Sequence, residues 1–218
     1  MKVFEPCPGI KVYDDVFTYT QQYRIYGQIV NDLKFSIGWS DSFEDSDKFL
    51  HTAFPAETWR NINYYKSPEH FVNELNNSEP FQELKDHHLL KSIINLTTIA
   101  DTNIHHTHPG QEAMLYYANL EWKNEWQGET FFLDPEGKNI LYTSPYVPNR
   151  MIWFDGDIVH RFNTQSRTAP KYRFSVSTFW EKPIGLDEVP PEVRDGIANG
   201  TIDPREVRGL ETPEPTED

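Results

Sequence analysis

The spacing of hydrophobic residues changes along the chain, from a helical period near the start to short apolar runs further on. Within residues 18–34, apolar side chains recur every three or four positions, which is typical of one face of an α-helix. These side chains are Tyr19, Tyr23, Tyr26, Ile29, Val30 and Leu33. A second helix is predicted to begin at Ser67, because Ser-Pro-Glu provides a cap and a first turn, and to continue through residues 81–91. Between the two helices, residues 35–54 alternate apolar groups with Gly, Ser and Asp and indicate strand and loop.

Seven short apolar runs follow from Ser92 onward, separated by turn residues at close spacing. They are residues 93–100, 113–122, 129–134, 139–144, 149–156, 158–163 and 172–180. This pattern is typical of an all-β sandwich or barrel and not of βαβ units. We therefore expect a mainly β fold with flanking N-terminal helices. The expected organisation is a single domain over residues 1–185, with a helical part at about 1–91, a β-barrel core at about 92–182, and a tail over 186–218.

Acidic residues dominate the charge, most of all in the tail. The formal net charge is -14, and residues 186–218 carry ten Asp and Glu against three Arg, a net of -7. The tail is also rich in Pro, with one short helix expected near residues 190–200 and a disordered end. Such a chain offers no positive field to a polyanion, so we expect no nucleic-acid partner. The start, MKVFEPCPGI, has no apolar signal segment and no apolar run reaches membrane length, which predicts a cytoplasmic protein without membrane contact.

Histidines are the residues of the β half that point to chemistry. Four of the eight histidines lie there, at positions 105, 106, 108 and 160. Residues two apart on a strand share a face, so His106 and His108 can converge on one point while His105 faces the other way. With His160 on a later strand, this arrangement predicts a metal site. The single cysteine excludes a thiolate set, and imidazole suits Fe, Zn, Cu or Ni.

Two longer segments narrow the choice of metal. Residues 115–132, LYYANLEWKNEWQGETFF, and residues 149–180 resemble the prolyl-4-hydroxylase-like branch of the 2-oxoglutarate- and Fe(II)-dependent oxygenases. That family has, in order, H-x-D, then Y-Y-x-N-x-x-W followed by W-G-G-E, then F-x-(G/S)-x-x-x-H, then R-x-S. The match covers about residues 100–180. The resemblance implies a double-stranded β-helix, which is a jelly-roll or cupin-like barrel, with Fe(II), 2-oxoglutarate as cosubstrate, and O2.

The resemblance also assigns roles to individual residues. His106 is implied as the first iron ligand and His160 as the distal one, while Arg173 is implied as the anchor for 2-oxoglutarate. A guanidinium suits this role because its planar fork pairs with a carboxylate through two hydrogen bonds. Arg167 is the alternative anchor. Arg173 is preferred because alternation places it on one face with Ser177, which matches the hydroxyl that the family has four residues after this Arg.

Four other positions also match the family pattern. Tyr117 is implied to hydrogen-bond the cosubstrate carboxylate, with plain core packing as the alternative. Asn119, Trp122 and Gly128 are interpreted as turn and packing residues that shape the barrel.

The sequence departs from the family where the carboxylate ligand belongs, because His108 stands in place of the Asp. Three neutral imidazoles leave a metal at its full positive charge, so we expect Fe(II) to bind more weakly before the dianionic cosubstrate arrives. Glu112 is a second candidate, since HTHPGQE also has the H-x-H-x3-E pattern of metal-binding cupins. We rank His106, His108 and His160 as the ligand set and keep Glu112 as the alternative. Both families have the same fold.

The leading hypothesis for function is an oxygenase that couples decarboxylation of 2-oxoglutarate to hydroxylation of a small-molecule or peptide substrate, with ascorbate as a candidate reductant. The alternatives are a cupin-type dioxygenase or isomerase that does not use 2-oxoglutarate, and a catalytically silent metal-binding barrel. The sequence does not identify the substrate, because substrate loops vary independently of the scaffold.

Overall fold

The structure is a computed structural model of the 218-residue chain. It describes residues 1–39, 49–55, 78–80, 87–101, 104–182, 188–202 and 207, without the side chains of positions 39, 49, 54 and 55. The start of the second predicted helix, at Ser67, lies outside the described residues, and so does the end of the acidic tail.

Antiparallel strands are the predominant secondary structure of the described chain. The strands are β1 Lys2–Cys7, β2 Ile10–Asp14, β3 Ser36–Trp39, β4 Phe49–Pro55, β5 His88–Thr97, β6 Gln111–Tyr117, β7 Thr130–Leu133, β8 Ile140–Ser144, β9 Met151–Asp155, β10 Val159–Phe162 and β11 Arg173–Glu181. The helices are α1 Tyr19–Asn31 and α2 Pro191–Ala198, and a 3-10 turn covers Asn124–Trp126. All seven strands predicted after Ser92 are present, as is the short helix of the tail.

The strands form two sheets. The large sheet has the order β1-β2-β9-β6-β11-β5-β4-β3, and the small sheet has the order β10-β7-β8. At the edge of the small sheet, His106 forms a single antiparallel bridge with His160 of β10. Side chains from both sheets meet in one buried cluster that includes Ile93, Tyr117, Phe132 and Phe154. The expected fold, a mainly β double-stranded β-helix, is confirmed.

Helix α1 packs on the other face of the large sheet. It begins after Thr18, whose side chain forms a reciprocal capping box with Gln21. Its buried residues are Ile25 and Ile29, which join a second cluster on the outer face. The predicted helix is confirmed, but the predicted face was wrong at three positions. The exposed residues are Tyr19 at 69%, Tyr23 at 60% and Val30 at 45%.

The N-terminal part contains more strand than the sequence indicated. It contributes β1 to β4 to the large sheet, and residues 88–91, which were expected to continue a helix, belong to β5. Strand β5 lies between β11 and β4 and is covered on both faces, with adjacent Ile93 and Ile94 both buried. A strand buried on both faces loses the alternation that distinguishes it from a helix. No helix within the described ranges is long and apolar enough to cross a membrane.

Candidate functional site

Three imidazoles meet at one end of the barrel. His106 and His160 are directly paired, since each backbone N–H donates to the other's carbonyl, at 3.1 and 3.0 Å. His108 is held two residues further along, where its N–H donates to the carbonyl of Gly156 at 2.6 Å. The ring centroids are 4.3 to 5.0 Å apart. One possible ligand nitrogen from each ring lies within 4.8 Å of the others, a spacing that one metal ion could span.

Hydrogen bonds to the backbone orient two of these rings. Nδ1 of His106 lies 3.1 Å from the carbonyl of Ile104, and Nδ1 of His160 lies 2.8 Å from that of Ile158. A neutral ring that donates through Nδ1 leaves the lone pair of Nε2 available to a metal. Burial, followed by the charges of His106 and Lys91, lowers the pKa of His108 to about 3.

The same causes act on the distal ring. Burial, followed by the charges of His106 and His108, lowers the pKa of His160 well below its ordinary value. His108 and His160 are therefore neutral at physiological pH in the metal-free protein, which is the protonation state that a metal ligand needs.

His105 and Glu112 do not join this cluster. His105 is exposed and accepts a hydrogen bond from Nε of Arg161 at 3.0 Å, as strand alternation predicted. The carboxylate of Glu112 lies 3.3 Å from Nδ1 of His87, in a groove on the outer face of the large sheet. Its neighbour Ala113 faces the barrel interior instead. In the described structure, Glu112 is thus separated from the three imidazoles by the sheet itself.

Arg173 lies deeper in the barrel and is almost completely buried. Its Nε donates to the carbonyl of Gly128 at 3.1 Å, and its guanidinium lies over the rings of Tyr146, Phe162 and Tyr117 at 4.7, 5.4 and 5.6 Å. None of the described carboxylates forms an ion pair with it. Burial lowers the pKa of Arg173, although an arginine stays charged in proteins. The charge of Glu129 acts on the guanidinium from beyond ion-pair distance, and a buried guanidinium with no closer carboxylate among the described residues is suited to binding an anion.

A single cavity connects the imidazoles with Arg173. Its volume is about 60 Å³. The lining residues are Ile93, Asn95, His106, His108, Ala113, Met114, Leu115, Thr130, Phe154, His160, Phe162, Arg173, Ser175, Ser177 and Phe179. Phe162, under the guanidinium, lies two residues after His160 on β10, which corresponds to about 7 Å along the strand. The cavity therefore has an imidazole end and a guanidinium end, separated by a short distance.

Of the other predicted site residues, one lines the cavity and two do not. Ser177 lines the cavity, as expected from its place on β11. Tyr117 does not line it, because its hydroxyl donates to Oγ1 of Thr130 at 2.8 Å, and Thr130 faces the cavity in its place. Arg167, the alternative anchor, is exposed in the turn before β11.

The packing residues have the expected structural roles. Oδ1 of Asn119 accepts from the N–H of Phe174 at 2.8 Å, and Nε1 of Trp122 donates to the carbonyl of Gln127 at 2.7 Å. Gly128 has a φ of +84°, and an added Cβ would lie 3.3 Å from both Arg173 and Trp122.

Sequence reasoning missed Thr130 and Asn95 as cavity residues. Both occupy inward positions of predicted strands, so alternation counted from Phe132 and Ile93 would have identified them. Neither belongs to a motif that singles it out.

Comparison with known proteins finds structures with a similar fold but no significant sequence match. The sequence matches no protein-family model and no curated protein at a significant level. Among solved structures, a prolyl hydroxylase from Trichoplax adhaerens, in complex with a hypoxia inducible factor peptide fragment, is similar with a TM-score of 0.59 and 13% identity, over 79% of this chain and 83% of that one.

Two further solved structures are similar over 79% of this chain. A non-haem alpha-ketoglutarate-dependent carbocyclase from nogalamycin biosynthesis gives a TM-score of 0.56 and 12% identity over 80% of its length. An oxidoreductase of the 2OG-Fe(II) oxygenase family from Burkholderia pseudomallei gives 0.54 and 12% over 85% of its length. At these identities the similarity shows a shared fold.

Proposed function

We propose that the protein is a 2-oxoglutarate- and Fe(II)-dependent oxygenase that couples decarboxylation of the cosubstrate to hydroxylation of a substrate. One observation carries this proposal. A single cavity has three converging imidazoles at one end and a buried guanidinium without a carboxylate partner at the other. The fold shared with an oxygenase of the 2OG-Fe(II) family supports it.

The three imidazoles fit an iron site. His106, His108 and His160 would hold the metal, the first and last through Nε2, since their Nδ1 atoms face backbone carbonyls. When bound, iron and 2-oxoglutarate together would supply the oxidising chemistry that uses O2. The protein contributes orientation and exclusion of water.

The deeper end fits the cosubstrate. Arg173 would bind the far carboxylate of 2-oxoglutarate, with the hydroxyls of Ser177 and Thr130 lining the same cavity. His160 and Phe162, the residue under the guanidinium, are about 7 Å apart along β10, so one small diacid would be able to contact both ends of the cavity. Tyr117 would act through Thr130, because its hydroxyl already donates to that residue.

The alternative functions are weaker on the same geometry. A cupin-type enzyme would use Glu112 as a ligand, yet Glu112 lies in the groove on the outer face of the large sheet. A silent metal-binding barrel would have no need for a buried guanidinium without an ion-pair partner at the deeper end of the cavity. Ascorbate as reductant and a cytoplasmic location stay predictions from the sequence, as does the choice between a peptide and a small-molecule substrate.

Release of succinate tests the proposal. The full chain is loaded with Fe(II) without oxygen, then given 2-oxoglutarate and O2, with and without ascorbate, and succinate is measured. We expect slow uncoupled turnover that is lost in His106→Ala and His160→Ala. Metal binding without 2-oxoglutarate binding would favour the silent barrel or the cupin-type enzyme.

A matched pair of arginine variants tests the anchor. Arg173→Ala should weaken 2-oxoglutarate binding at least tenfold and leave metal affinity nearly unchanged, since a hydrogen bond to a charged group contributes about 1.5–3 kcal/mol. Arg167→Ala removes the same charge from an exposed turn and should change neither. Equal affinities in calorimetry for wild type and Arg173→Ala would exclude Arg173 as the anchor.

A further inference from the structure

Glu129 lies next to the residues that hold Arg173. It follows Gly128, whose carbonyl accepts the hydrogen bond from Nε of Arg173, and it precedes Thr130, which lines the cavity. Its backbone carbonyl accepts a hydrogen bond from the N–H of Asn163 at 2.7 Å, and its Oε1 accepts one from Nδ2 of Asn163 at 3.2 Å. These bonds hold both the backbone and the carboxylate of Glu129 near the guanidinium end.

Glu129 does not line the cavity itself but a separate groove. The residues of this groove are Trp122, Asn124, Gln127, Glu129, Thr143, Pro145 and Tyr146. The ring of Tyr146 also lies under the guanidinium of Arg173, at 4.7 Å. The groove and the guanidinium end thus share Tyr146, which places Glu129 and Arg173 in one small region.

The charges of Glu129 and Arg173 act on each other without direct contact. Burial lowers the pKa of Arg173, and the negative charge of Glu129 acts in the opposite direction. Within the part of the chain that the structure describes, the two side chains form no ion pair. A negative charge that stabilises a buried guanidinium also repels a second carboxylate that approaches it. Glu129 therefore has opposite effects on the empty and the loaded site.

We propose that Glu129 limits the affinity of the site for its cosubstrate, because its carboxylate stabilises Arg173 in the empty site and repels the bound dianion. This inference rests on the proposed function, since it takes 2-oxoglutarate as the ligand of Arg173. Glu129 is a positioning residue here, because it acts through the guanidinium and does not line the cavity. Succinate, the product, also has two carboxylates, so the same repulsion favours its release.

Calorimetry of Glu129→Gln tests this inference. The full chain is loaded with Mn(II) and titrated with 2-oxoglutarate. We expect the variant to bind 2-oxoglutarate at least about threefold more tightly than the wild type, since the amide has a similar shape but no charge. Equal or weaker binding would overturn the inference, because it would show that Glu129 serves only to hold Arg173 in place.

A ligand without the far carboxylate separates charge from shape. 2-Oxopentanoate has the same 2-oxo acid group as 2-oxoglutarate but brings no carboxylate to Arg173. Its affinity should differ by less than about twofold between the wild type and Glu129→Gln. An equal gain in affinity for both ligands would show a general change in the cavity and would contradict the inference.

The stability of the ligand-free protein gives a result of the opposite sign. Glu129→Gln should unfold at a lower urea concentration than the wild type, because Arg173 loses its nearest compensating charge. Added 2-oxoglutarate should raise the unfolding midpoint of the variant by more than that of the wild type. A variant that loses both stability and 2-oxoglutarate binding has suffered structural damage, and this result counts against the inference.

Three further variants serve as controls. Glu129→Asp keeps the charge on a shorter side chain and should bind 2-oxoglutarate within about twofold of the wild type. Glu125→Gln removes the same charge from an exposed position of the 3-10 turn and should change neither affinity nor stability. A gain in Glu125→Gln equal to that in Glu129→Gln would show an effect of total charge and refute the inference. Glu129→Met, also uncharged and of similar length, carries the same test if Glu129→Gln does not fold.

The outcomes also separate this inference from the proposed function. If the wild type loaded with Mn(II) does not bind 2-oxoglutarate, the proposed function is contradicted and the inference with it. If binding is lost in Arg173→Ala but is equal in the wild type and Glu129→Gln, the proposed function stands and the inference alone is wrong.

Discussion

Position 108 decides the charge of the candidate metal site. Its imidazole occupies the place where the resembling family has a carboxylate, and its ring lies 5.0 Å from those of both His106 and His160. The backbone hydrogen bond to Gly156 fixes the segment next to β10, so the side chain at this position faces the cluster whatever its chemistry. A substitution at this one residue therefore changes the charge of the site with little change to its backbone.

His108→Asp should tighten divalent metal binding. One added negative charge at about 4 Å contributes up to about 4 kcal/mol in an environment of intermediate polarity. We expect a gain of at least about tenfold in Mn(II) affinity, provided that the shorter side chain reaches the metal. The wild type should also show the stronger coupling, with 2-oxoglutarate tightening Mn(II) binding more than it does in the variant.

Glu112→Gln is the matched comparison for this measurement. It removes a carboxylate from the outer face of the large sheet and should leave Mn(II) affinity within about twofold of the wild type. A large loss of metal in Glu112→Gln, with little change in His108→Asp, would instead support the cupin-type ligand set.

Gly128 is the second residue on which the site depends. Its positive φ favours glycine, and its carbonyl accepts the hydrogen bond from Arg173. Gly128→Ala should destabilise the protein by about 1–3 kcal/mol and also weaken 2-oxoglutarate binding, because the new Cβ presses on Arg173. Gly200→Ala shares the positive φ but has open space around it, so it should cost stability without affecting 2-oxoglutarate. Urea denaturation and calorimetry measure the two effects.

At the scale of elements, the sequence predicted the strands of the barrel core better than those of the N-terminal part. Strands β6 to β11 are short apolar runs between turns, so both their type and their order could be read. Strand β5 was harder at its start, because residues 88–91 read His-Leu-Leu-Lys, which has no apolar alternation, and only Leu89 among them is buried. Strand β1 is largely exposed, with few buried side chains to mark it.

The buried face of α1 shows why the helical spacing of apolar residues alone does not identify which side of a helix is buried. The helical spacing of Tyr19 and Tyr23 is real, but tyrosine tolerates exposure because its hydroxyl prefers water. The sheet instead packs against Ile25 and Ile29. The histidines and Arg173 were predictable from motifs, whereas Thr130 and Asn95 belong to no motif and could be found only by counting alternation along their strands.

Ile25→Ala and Tyr23→Ala test which face of α1 is buried. The loss of a fully buried isoleucine should cost about 2–5 kcal/mol, since it leaves a cavity between α1 and the large sheet. Tyr23→Ala, on the exposed side of the same helix, should stay within about 0.5 kcal/mol of the wild type. Urea denaturation measures both. Equal costs would show that both faces of the helix are covered.

At the scale of the whole molecule, the candidate site is built at the expense of packing. Three imidazoles, a buried guanidinium and a cavity of about 60 Å³ replace apolar side chains that would otherwise fill the barrel. Buried groups that resist protonation also make the stability of the folded state depend on pH. The metal-free protein should show this dependence directly.

We expect the metal-free protein to lose stability as the pH falls from 7 to 5. The pKa of His108 is lowered from 6.5 to about 3, first by burial, and that of His160 is lowered well below its usual value. Below about pH 6.5 the unfolded chain therefore binds more protons than the folded one, and unfolding becomes easier by at most about 1.4 kcal/mol per pH unit for each of these histidines. Urea denaturation with a chelator measures the slope. His108→Gln should flatten it, whereas His105→Gln, at an exposed position, should leave it unchanged. Identical slopes in all three proteins would show that His108 is protonated equally in the folded and unfolded states.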